Sequence, residues 1–70
     1  VSRLTQRELL NNACKEAVYR EEQRKERYKY LFKNIKDERL KSLFGEFART
    51  CHKRLEQLTA EMRNFNIKKY

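Results

Sequence analysis

The chain has no proline, no tryptophan and one glycine in 70 residues, with a single histidine, a single methionine and two cysteines. Without proline, and with glycine only at Gly45, there is almost no material for turns or strand breaks. The chain is therefore all-helical or it is unfolded. No apolar run approaches the roughly 20 residues needed to cross a bilayer, and the start lacks a signal-peptide pattern. The expected location is cytoplasmic, with no membrane partner. Val1 stands where an initiating methionine would be, as in a chain that has been trimmed or cut from a longer protein. Cys14 and Cys51 both fall inside apolar stripes, and their distances from the central joint differ by about seven residues, roughly 10 Å of helix rise. A disulfide needs Cα atoms within about 7 Å, so the expectation is two reduced thiols. There is no glycine-rich phosphate loop, no paired-cysteine motif and no nucleophile with a base in reach. Ordinary hydrolase and nucleotide-dependent chemistry find no support, and no small-molecule substrate is indicated.

Hydrophobic residues make up 39% of the chain and charged residues 40%, a balance near the border of disorder. Placement decides the matter, because the apolar residues recur at helical period. The joint is Asn34-Ile35-Lys36-Asp37-Glu38. Before it, Leu10, Cys14, Ala17, Glu21, Arg24, Tyr28, Leu31 and Ile35 alternate in steps of four and three, the seam of a helix facing a partner. Val18 lies at the edge of that stripe. After the joint, Leu40, Phe44, Phe47, Cys51, Arg54, Leu58, Glu61 and Phe65 repeat the pattern.

The expected fold is all-α: a single domain over residues 1–70, folded as an antiparallel two-helix hairpin, with helix one about 5–34 and helix two about 37–65. Thr5-Gln6-Arg7-Glu8 has the spacing of a capping box, with Ser2 as a competing cap and Val1 to Leu4 as a frayed lead-in. Asp37 is the natural cap of the second helix, and Glu38 puts negative charge in its first turn. Glu16 with Arg20 and Glu21 with Lys25 offer pairs four residues apart, each worth a few tenths of a kcal/mol. Gly45 sits off the stripe, where it costs about 1 kcal/mol against alanine and admits a close neighbour. Asn64 to Asn66 end the second helix, and the tail from Ile67 is expected to be loose or to dock on another subunit. Two helices packed only on each other leave part of each stripe wet. Two hairpins are expected to pair as a homodimer, or assemble further, into a four-helix bundle with Leu10, Ala17, Tyr28, Leu31, Phe44, Phe47 and Leu58 in the dimer core.

Both seams are apolar at their ends and ionisable in the middle. Residues equidistant from the joint lie at one height in an antiparallel hairpin, which sets Glu21 level with Cys51 and places Arg54 about one turn further out. An unpaired carboxylate in an apolar seam would cost several kcal/mol. Arg54 is the cation best placed to meet Glu21, and Arg24 is the competing one. Glu21, Arg24, Cys51 and Arg54 are the expected buried polar network. Its role is register and orientation, and no catalytic residue is assigned.

Glu21-Glu22-Gln23-Arg24-Lys25-Glu26-Arg27-Tyr28, then Ile35-Lys36-Asp37-Glu38-Arg39-Leu40-Lys41-Ser42-Leu43-Phe44 and Phe47-Ala48, resemble a rubrerythrin-type hairpin of the ferritin-like family. In that family a glutamate seven residues before a tyrosine on one helix joins Glu-x-x-His on the next to hold two iron ions. By this resemblance Glu21 corresponds to the glutamate and Tyr28 to the tyrosine, while Cys51 and Arg54 occupy the Glu-x-x-His positions. An arginine neither bridges nor ligates iron and adds positive charge. The resemblance implies a ferritin-like architecture whose degenerate metal site has become a salt bridge, with no cofactor.

Three functions follow as expectations. The first is a non-enzymatic ferritin-like module acting through homo-oligomeric assembly. The second is a metal-binding or redox relative with an altered iron or zinc site at Glu21, Cys51 and His52, with Glu56 nearby. Thiolate and imidazole suit zinc or copper better than iron, but adjacent residues diverge by about 100° on a helix. The third is nucleic-acid or anion binding through the net charge of +8 and the Arg24–Tyr30 stretch. There the cations are spread around the helix instead of gathered on one face.

Overall fold

The computed structural model describes residues 5–67, which form two helices in the order α1 (Gln6–Asn34) and α2 (Glu38–Asn64). The expected lead-in at Val1 to Leu4, the competing cap at Ser2 and the last three residues lie outside the described residues. Among the described residues there is no strand, and no helix is long and apolar enough to cross a membrane.

Each helix begins on the side chain its sequence supplies. Thr5 accepts the Glu8 backbone N–H at 3.1 Å on its hydroxyl, and the Glu8 carboxylate accepts the Thr5 N–H at 3.1 Å, a complete capping box. Asp37 accepts the Leu40 N–H at 3.0 Å. Between the helices only Ile35, Lys36 and Asp37 are non-helical. Ile35 turns to an extended conformation while its N–H still reaches the Leu31 carbonyl at 2.9 Å. A link this short forces neighbouring antiparallel helices. No glycine is needed, because Ile35 leaves α1 and Asp37 enters α2 at negative φ.

Of the tail expected to be loose or to dock on another subunit, Ile67 alone is among the described residues, and it packs on its own chain. Asn66 adopts φ 56°, and beyond it the Ile67 N–H reaches the Met62 carbonyl at 2.8 Å while the Asn66 N–H reaches that of Arg63 at 3.1 Å. These two bonds, with an αL residue between them, make a Schellman motif. It folds Ile67 back onto this chain's own core beside Val18 and Met62.

That core is small. The buried hydrophobic side chains are Val18, Cys51, Met62 and Ile67, with Leu10, Cys14, Leu55 and Leu58 packed around the Val18 group. Val18, expected at the stripe's edge, is at its centre. The helix–helix contact line runs slightly to the Val18 side of the Leu10–Ala17–Tyr28 seam, so that seam faces partly outward. Toward the joint the core becomes aromatic, with Tyr28, Phe44 and Phe47 in mutual contact at ring-centroid distances of 5.3–6.0 Å. On another side Phe32 lies over Gly45, where a Cβ would come within 3.0 Å of the ring. The close neighbour that glycine admits is Phe32.

Candidate functional site

At mid-length on both helices the seam turns polar. Glu21 is buried at 7% exposure, and its Oε1 accepts from Arg24 Nη1 at 3.0 Å and from Arg54 Nη1 at 3.5 Å. One carboxylate oxygen thus holds an arginine from each helix. The expected partner Arg54 is present, and the competing Arg24 is closer. Lys25, expected to pair with Glu21, instead directs its Nζ to His52 Nδ1 at 3.1 Å. The seam position of Glu21 explains the difference: the carboxylate points into the helix interface, whereas Lys25 lies on the flank nearer His52. The other expected pair, Glu16 with Arg20, forms at 2.6 Å on the surface.

The four residues of the layer are not equally enclosed. Cys51 is 1% exposed and Glu21 is buried, but the Arg24 and Arg54 side chains remain 55% and 54% exposed. The second carboxylate oxygen, Glu21 Oε2, is buried without a hydrogen-bond partner among the described residues. Burial, and after it the neighbouring Glu21 carboxylate, pushes the Cys51 thiol above its usual pKa against the opposing pull of Arg54 and Arg24. Cys51 is therefore a neutral thiol at physiological pH, poorly suited to nucleophilic or metal-ligating work. Cys14 and Cys51 are both free.

Arg24 and Arg54 stand in an open trough. On one side of them it is lined by Ala13, Glu16, Ala17, Arg20 and Leu58, and on the other by Tyr28, Phe47, Thr50 and Cys51, where the depression has a volume of about 370 Å³. Of the residues expected in a dimer core, Ala17, Tyr28, Phe47 and Leu58 line this trough. Leu10, Ala17, Tyr28, Leu31, Phe44 and Leu58 are half-buried in the hairpin, and Phe47 is 38% exposed.

His52 belongs to a different surface. Its Nδ1 meets Lys25, and its Nε2 lies 3.6 Å from Glu56 Oε1. Glu21, Cys51 and His52 are not gathered into a ligand set, and among the described residues no three His, Cys, Asp or Glu side chains are placed to hold a metal ion. Sequence reading missed the Lys25–His52 bridge because it crosses between helices, where spacing within one helix carries no information. It missed the return of Ile67 although a signal was present: asparagine followed by an apolar residue at a helix end is the pattern of this cap.

Comparison with known proteins returns no match, whether to a protein-family model, a curated protein or a solved structure.

Proposed function

We propose that the chain is a non-enzymatic helical module that works by pairing with a second copy of itself, two hairpins closing a ferritin-like four-helix bundle around the Glu21–Arg24–Arg54 layer. The observation that carries this reading is the flank of α2 beside its contact with α1. Leu40, Leu43, Phe47 and Phe65 are 38–48% exposed, and all four project within about 60° of one another on a helical wheel. Arg54 stands in the middle of the same stripe, and Ala13, Ala17 and Tyr28 of α1 border it.

A second copy is the occupant that fits. Among the described residues the core has four buried hydrophobic side chains, small for an independent fold, and helical chains of this size gain the missing burial by association. The stripe runs most of the length of a 27-residue helix, so only another long helical surface covers it end to end. Leu40, Leu43 and Phe47 cluster at the joint end of the stripe and Phe65 stands at the other, with Arg54 and Glu61 between them, and exposed apolar groups rimmed by charge mark such interfaces.

Sedimentation equilibrium over a wide concentration range tests the proposal. The expected result is a dimer that dissociates on dilution, and that Phe47→Glu converts to monomer by placing a charge in the band. A wild-type chain that stays monomeric at every concentration sinks the reading.

A further inference from the structure

The charges of the central layer do not balance. Glu21 brings one carboxylate, and Arg24 and Arg54 bring two guanidiniums; Glu16 and Arg20, which line the same trough, cancel as an ion pair, leaving one positive charge in excess per hairpin. The ionised Cys51 that could have offset it is disfavoured, since that thiol is held neutral. Each guanidinium has five N–H donors, and each bonds Glu21 through Nη1. Both guanidiniums line the trough. Because Glu21 and Cys51 sit at the midpoints of their helices, a twofold axis through the apolar band brings the troughs of two hairpins opposite each other. Four arginines and two glutamates would then share one largely dehydrated centre carrying two surplus positive charges. Burying uncompensated charge is costly, so the assembled centre calls for an anion.

We infer that the trough between Arg24 and Arg54 binds a small free oxyanion, inorganic phosphate or sulfate, which the pairing of two hairpins encloses. The inference rests on the self-pairing reading and adds a ligand to it. Arginine suits the task because its planar fork meets a tetrahedral oxyanion through two parallel N–H bonds. The apolar walls at Phe47, Tyr28 and Leu58 exclude water once a second hairpin covers them, which strengthens the ion contacts. Where the carboxylates of a rubrerythrin-type centre hold cations, this centre has the opposite sign and holds an anion.

The test is dimer affinity and thermal midpoint in phosphate, in sulfate and in chloride at matched ionic strength. Phosphate and sulfate are expected to tighten the dimer and raise the midpoint, and chloride is not. Arg54→Gln should weaken phosphate binding about tenfold or more, the scale of one charge-assisted hydrogen bond. Arg54→Lys, which keeps the charge but loses the fork, should retain only part of the response, whereas general screening would leave it whole. Glu21→Gln removes the competing carboxylate at nearly unchanged volume and should tighten phosphate binding. A purely structural Glu21 would not produce that effect. A dimer that responds equally to all three salts overturns the anion site and leaves self-pairing standing. A monomer under every condition overturns both. Capture on phosphatidic-acid vesicles without any response to free phosphate overturns the assignment to a free ion.

Discussion

Ile67 and Met62 are joined twice: the Ile67 N–H closes on the Met62 carbonyl at 2.8 Å, and the two side chains are buried together against Val18. The cap of α2 is thereby part of the core, and the residue between the helix and Ile67 becomes a sensitive position.

Asn66 holds that position at φ 56°. Asn66→Gly is expected to be neutral or stabilising by up to about 1 kcal/mol, and Asn66→Val to cost about 1–2 kcal/mol, because a β-branched residue resists the left-handed region. Ile67→Ala should cost about 2 kcal/mol, the low end for a buried large-to-small change, since Ile67 is at the edge of the small core and keeps 7% exposure. Urea unfolding of the three variants checks the ranking. Equal midpoints would show that the tail does not dock.

Gly45 is under opposing demands. Alanine would gain about 1 kcal/mol of helix propensity, but its Cβ would stand 3.0 Å from two carbons of the Phe32 ring. Phe32 is 40% exposed and has room to swing outward by a few tenths of an ångström. Gly45→Ala should therefore shift stability by less than about 1 kcal/mol, while Gly45→Leu, which expels the ring, should lose about 2 kcal/mol or more. Chemical denaturation of both variants measures the contrast.

Cys51 and Cys14 should differ in reactivity. Cys51 is 1% exposed with a raised pKa, and Cys14 is half-buried. Alkylation followed by mass spectrometry should label Cys14 first in the folded chain and both at similar rates in denaturant. The raised folded pKa also sets a sign. Its stabilising contribution is complete below the unfolded thiol value, about 8.5, and is lost as pH rises from there through the folded value. Cys51→Ser should flatten that alkaline decline.

At the other pH extreme the first turn of α1 should fray. The Thr5 backbone N–H, then its hydroxyl, hold the Glu8 carboxyl below its usual pKa. A depressed folded value gives a contribution present above the unfolded pKa and lost as pH falls through the folded one. Helicity at the N-terminal turn, followed by amide exchange at residues 6–9, should drop on acidification in the native chain and lose that pH dependence in Glu8→Gln, whose amide oxygen can still accept the Thr5 N–H. An exchange pattern indifferent to pH in the acidic range would refute the capping contribution.

Much of this could be read from the sequence because it is local chemistry. The spacing of Thr5 to Glu8, the carboxylate of Asp37 and the four-and-three recurrence of apolar residues act over one or two helical turns, so they determine where α1 and α2 start and that a three-residue joint folds them antiparallel. The same height rule brings Glu21 to Cys51 and Arg54. What tertiary structure decided was rotation about each helix axis, which local spacing leaves free. The helices turned toward Val18, so that residue, Met62 and the returning Ile67 took the core. Arg24 and Arg54 stayed half in solvent, and Lys25 found His52 across the interface instead of Glu21 along its own helix. Rotation is settled by total burial over both helices at once, a sum to which residues distant in the chain contribute as much as neighbours.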